Sequence, residues 1–202
     1  MRSAAAALVA IICWSGLAIQ FSATFANQHH VIATLWVLLR FFTVITNLIV
    51  AVAMTLEAIG KRLPPFALGG ATISILLVGV VYMTLLHGLV ELSGGALLAD
   101  TLLHKISPVA MTLWWLFFAP RARLKSSAPL WWATYPLLYF AYAIARGKAG
   151  DRYPYPFMDL GKLGWPQTLI NAAGIAMAFL LVGFLLVWID SWRPLGSRRA
   201  RG

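Results

Sequence analysis

From Gln167 to Ile189 the chain reads QTLINAAGIAMAFLLVGFLLVWI, without one charged side chain. This stretch limits the fold more than any other feature. A helix needs about 20 predominantly apolar residues to cross the hydrocarbon core of a bilayer. Inside hydrocarbon each backbone N–H must be satisfied within the chain, which leaves helices or closed barrels. A barrel would show alternating segments of about ten residues, and none occur. Further apolar runs lie at 3–21, 33–58, 66–89, 97–119 and 130–145. Only 11% of the residues are charged, against roughly 25% in soluble domains, so the apolar excess needs lipid to face. The pattern predicts an all-α integral membrane protein: a six-transmembrane-helix bundle forming a single transmembrane domain over residues 1–202.

The net charge of +10 does not point to nucleic acid. The cations sit beside the apolar runs, and no RNP, zinc-finger or helix-turn-helix pattern is present. Lys and Arg instead set the orientation. With six spans, one side holds Arg2, Lys61, Arg62, Arg121, Arg123, Lys125, Arg193, Arg198, Arg199 and Arg201. The other holds Lys105, Arg146, Lys148, Arg152 and Lys162. Both termini are therefore expected in the cytoplasm. The first run is longer than the usual 7–15-residue core of a signal peptide, so it is read as an uncleaved span. Cys13 is the sole cysteine, which leaves no disulfide framework and no cysteine metal site.

An ionisable or strongly polar residue inside a span is costly and is a functional hypothesis by default. In RFFTVITN, residues 40–47, Arg40, Thr43 and Asn47 fall at i, i+3 and i+7, which is one face of a continuous helix. Two readings stand on spacing alone. Arg40 snorkels to the headgroups while Thr43 and Asn47 glue helices together, or the three line a binding stripe. In the fourth span, Asp100 and His104 are at i and i+4, where a carboxylate can orient the imidazole or simply cap the helix. Ser107 and Pro108 follow, and Pro108 frees a backbone carbonyl near His104. His87 and Glu91 end the third span, either as part of a polar cluster or at the water interface. Two histidines, His87 and His104, do not specify a haem or metal site, and no cofactor is expected.

No Gly-x-Ser-x-Gly elbow, His-Glu-x-x-His or phosphate-binding loop occurs. A hydrolytic nucleophile would therefore have to be unusual. A threonine hydroxyl activated by a histidine base is chemically competent. The second span descends from the outer face and the fourth enters from that face, so Thr43 and His104 can meet.

The segments RFFTVITN (40–47), DTLLHKISP (100–108), YPLLYFAYAIARG (135–147) and YPYPF (153–157) occur in one order along most of the chain. In this the chain resembles the androgen-induced-protein and androgen-dependent TFPI-regulating-protein family of multispan membrane threonine hydrolases. Its compact, Ala- and Trp-rich sequence is closer to a microbial branch. The resemblance implies an ester hydrolase acting on fatty acid esters such as fatty acid esters of hydroxy fatty acids. It also implies that Thr43 is the nucleophile and His104 the base. Arg40 and Asn47 inherit no family role and are read here as substrate-binding or supporting residues, together with Asp100 and His87. The expected partners are membrane lipids and the lipid-ester substrate, and the expected location is a bacterial inner membrane. The alternative is a non-catalytic transporter or binding protein for lipids or small molecules that uses the same polar stripe.

Overall fold

The computed structural model describes residues 1–121 and 123–192. The tail arginines Arg193, Arg198, Arg199 and Arg201, which entered the orientation argument, lie outside the described residues. Regular structure among the described residues is entirely helical. It comprises α1 (Arg2–Gln28), α2 (Val31–Leu38), α3 (Phe42–Ala58), α4 (Pro65–Val81), α5 (Gly94–Thr101), α6 (Ser107–Phe118), α7 (Ala128–Trp132), α8 (Thr134–Lys148) and α9 (Leu160–Trp192). A π-helical turn, Tyr82–Leu86, extends α4, and a second, Leu102–Ile106, joins α5 to α6. A short 3₁₀ turn, Pro156–Met158, precedes α9.

Among the described residues, three helices are long and apolar enough to cross a membrane: Arg2–Gln28, Pro65–Leu86 and Leu160–Trp192. The pair α2 and α3 makes a fourth if it is counted as one bent span. The outward faces are as apolar as the interior, with Leu181, Trp188 and Leu138 more than half exposed. A helix apolar all round is stable only where lipid or protein surrounds it. The last helix starts earlier than the apolar run suggests and is interrupted at Gly164, which adopts φ 68, two residues before Pro166.

The expectation of one straight second span at 33–58 is corrected. α2 and α3 meet at 99°, with Phe41 extended at the corner. Such a break leaves backbone groups without helical partners, each costly in an apolar setting. Here α8 takes them up. Tyr139 Oη donates to Arg40 O at 2.7 Å and Tyr142 Oη to Leu39 O at 3.2 Å. Arg146 Nη2 donates to Trp36 O at 3.0 Å. The corner is thus held open by side chains some hundred positions away in sequence.

On the opposite side of the bundle, Glu57 is fully buried at the end of α3. It accepts from Arg2 Nη2 at 2.7 Å, Arg62 Nη1 at 3.1 Å and the Leu63 N–H at 2.8 Å. These bonds tie the start of α1 to the turn between α3 and α4. α1 packs along α3 and α5, α4 against α3 and α6, and α9 against α4, α7 and α8.

Candidate functional site

The helix break puts Thr43 in the first turn of α3, beside the π turn that carries His104. Thr43 Oγ1 lies 3.2 Å from His104 Nε2. His104 Nδ1 lies 3.0 Å from Asp100 Oδ1 and 3.1 Å from the Asp100 carbonyl oxygen. Both of those partners are acceptors, so Nδ1 carries the proton and Nε2 is left to accept from the Thr43 hydroxyl. The chain of contacts is hydroxyl, imidazole, carboxylate. Thr43 is 6% exposed and Asp100 8%, so water competes weakly for these bonds.

The π turn has an identifiable cause. Within it the N–H of Ser107 reaches back to Leu102 O. The next such bond would run from residue 108 to Leu103 O, but Pro108 has no N–H. Leu103 O accepts instead from Asn47 Nδ2 at 3.1 Å, and Ser107 Oγ lies within reach of it, also at 3.1 Å. Asn47 Nδ2 also donates to Thr43 O at 2.9 Å, and Ser107 Oγ sits 2.6 Å from Asn47 Oδ1. Asn47, fully buried, therefore fastens the Thr43 helix to the His104 turn and does not face open space. π turns recur at functional sites because they re-aim side chains.

Tyr82 completes the inner side. It heads the other π turn, donates its hydroxyl to Asp100 Oδ2 at 2.5 Å, and stacks on the His104 ring with centroids 4.4 Å apart. The two turns come this close because Gly79 has no side chain. A Cβ there would lie 3.1 Å from Pro108 Cβ and 3.5 Å from His104 O.

Arg40 is not on the Thr43 stripe, because the helix breaks between them. Its Nη1 donates to Asp151 Oδ1 at 3.0 Å and Arg152 O at 3.3 Å. Asp151 is also gripped by Arg146 through Nη2 and, at 3.0 Å, Nε. Burial works to raise the Asp151 carboxyl, but the Arg152 N–H, Arg146 and Arg40 outweigh it and hold the group below the usual carboxylate range. Arg40 thus anchors the loop after α8. His87 is exposed and lies 3.4 Å from Lys105 Nζ, with an edge contact to Tyr82. It does not touch Thr43 or Asp100 in any contact seen here.

The loop held by Arg40 and Arg146 carries Tyr155 over Thr43. The Thr43 N–H points to Tyr155 Oη at 3.5 Å, and burial keeps the Tyr155 phenol above its ordinary value and so protonated. Behind Thr43 opens an apolar cavity of about 820 Å³ with its mouth and the open space in front of it counted. Val78, Val81, Phe140, Ile175 and Ala176 are among its walls, and Thr43, Tyr139 and Tyr155 line it as well. Arg40 does not line it.

Sequence reasoning brings out Thr43, Asp100 and His104, which the structure gathers. It misses Tyr82, Tyr139, Ser107 and Asp151 as parts of the site. Tyr82 carried a signal, as a phenol within an otherwise apolar run, since a buried Tyr hydroxyl nearly always has a partner. Comparison of the chain with profiles of known protein families, with curated proteins and with solved structures finds no match.

Proposed function

We propose that this protein is an intramembrane lipid-ester hydrolase that uses Thr43 as nucleophile and His104 as base. The reading is carried by one observation: a threonine–histidine–aspartate contact chain whose threonine lines an apolar cavity. In this scheme a fatty acid ester enters laterally from the bilayer. His104 Nε2 takes the Thr43 proton while Oγ1 attacks the ester carbonyl. The carbonyl oxygen becomes an oxyanion beside the Tyr155 hydroxyl, a donor of the kind that stabilises such charge. The proton passes from His104 to the departing alcohol, leaving Thr43 acylated. Water then attacks with His104 again as base and releases the fatty acid. Asp100 keeps the imidazole in the tautomer that accepts at Nε2, and Tyr82 keeps Asp100 in place.

Fatty acid esters of hydroxy fatty acids are the substrate class implied by the resemblance of RFFTVITN, DTLLHKISP and YPYPF to the threonine hydrolases. The proposal includes six crossings. Gly94–Phe118, with its π turn, is the fourth, and α7 with α8 is the fifth. The distribution of Lys and Arg supports cytoplasmic termini, and a bacterial inner membrane is the proposed location. Arg40 is left out of substrate binding because its guanidinium holds Asp151.

The test is Thr43→Ala and His104→Ala, assayed on lipid esters in nanodiscs. Each is expected to lower hydrolysis about a thousandfold or more, and a fluorophosphonate probe is expected to label Thr43 by peptide mass. Hydrolysis that survives both substitutions sinks the mechanism. Lipid flux in liposomes without cleavage would return the site to the binding or transport alternative.

A further inference from the structure

The cavity behind Thr43 does not end at an outer wall. Along α9 its lining runs from Ala172 to Phe179, about 10 Å deeper at roughly 1.5 Å per residue. The shallow end of that stretch is fixed to the loop by Asn171 Nδ2, which donates to Phe157 O at 3.1 Å. At the deep end stand Phe179 and, from α4, Leu77. The same two residues line a second apolar recess, about 310 Å³ with its open side counted, with Ile73, Val80, Ala178 and Val182 among its walls. Phe179 is 2% exposed. Two voids of like chemistry are therefore separated by two side chains.

We propose that Phe179 and Leu77 form a partition that sets the length of the acyl chain this site accepts. The inference rests on the hydrolase reading for the position of the ester and goes beyond it in naming which half of the ester is measured. A carbonyl attacked by Thr43 lies beside Thr43, and in this proposal the chain on the carbonyl side runs inward along the lining toward Phe179. The alcohol side leaves toward the loop and the lipid and is not measured. The occupant is a single acyl chain, since the lining toward Phe179 is apolar. Bilayer tails are as apolar as the cavity, so transfer from lipid brings little gain per methylene. Selection is then steric. Chains that end before Phe179 bind alike, and the first chain that collides with it must overpack the core.

The experiment uses the full chain with Thr43→Ala in nanodiscs, so that nothing is turned over. Saturated fatty acids of graded length displace the fluorescent polyene parinaric acid. Affinity is expected to stay level with length and then drop about tenfold at a cut-off. Phe179→Ala joins the two cavities and moves the cut-off several methylenes longer. Ala176→Leu narrows the approach and moves it shorter. Leu77→Ala opens the same partition from the other helix and replaces Phe179→Ala if that variant fails to fold. Partition into the disc is common to all variants and cancels. A cut-off at the same length in every variant overturns the proposal, as does affinity that ignores length. A cut-off that moves, without ester cleavage by the unmutated protein, sinks the hydrolase reading alone. Cleavage with an unmoved cut-off sinks the partition alone.

Discussion

Replacing Asn47 by Leu isolates the joint that holds the two halves of the site together. The branched shape is kept and no cavity opens, so the loss counted is in hydrogen bonds. Asn47 donates to Thr43 O and Leu103 O and lies 2.6 Å from Ser107 Oγ. Side-chain hydrogen bonds in membrane bundles average about 0.6 kcal/mol, and those in buried sites of soluble proteins about 1 kcal/mol. Three bonds therefore give roughly 2 kcal/mol, a factor of about 30 in the folded-to-unfolded ratio. The figure is no larger because the Ser107 hydroxyl, once Asn47 Oδ1 is gone, turns its one proton to Leu103 O at 3.1 Å, so no carbonyl is fully orphaned. Steric trapping in bicelles measures this free energy directly. Asn47→Asp is expected to be worse than Asn47→Leu, since its carboxylate has only acceptors to offer the carbonyls of Thr43 and Leu103. If Asn47→Leu matches the unmutated protein within a few tenths of a kcal/mol, the assignment of Asn47 as the clamp is refuted. The same variant is expected to slow fluorophosphonate labelling of Thr43, because the His104 turn loses its tie to α3.

Asp151→Asn is expected to loosen the loop over Thr43, seen as faster amide exchange across 151–158. The Asp151 carboxyl is depressed in the folded chain, so its contribution is fully present above the unfolded value of about 3.9 and is lost only as pH falls through its lower folded value. Loop protection, corrected for intrinsic exchange, is therefore expected to hold from neutral pH down to about pH 4 and fail below it; failure near pH 6 would contradict the assignment. Gly147→Ala would place a methyl inside the Tyr153 ring, an overpacking of about 1–3 kcal/mol. Easier proteolysis within the loop, with the helical circular dichroism kept, is the expected result.

The amino-acid sequence determined the class of the protein and the local pairs. Apolar runs too long for a soluble core announce helices in lipid, because hydrocarbon leaves the backbone few alternatives. Asp100 and His104 pair across one helical turn, and that contact follows from spacing alone even though the turn is π-helical. Thr43 was legible as a candidate because polar groups inside spans are rare. The course of the second span was not legible. Its break at Leu39–Phe41 depends on Tyr139, Tyr142 and Arg146 arriving from α8 to satisfy the open backbone, and no local pattern encodes that arrival. A continuous helix would have kept Arg40 beside Thr43; the corner instead sends it to Asp151, far along the chain. Tyr82 and the partition at Phe179 escaped for the same reason. Their surroundings are assembled from helices distant in sequence, so only the packed bundle decided which polar groups meet and where the empty space lies.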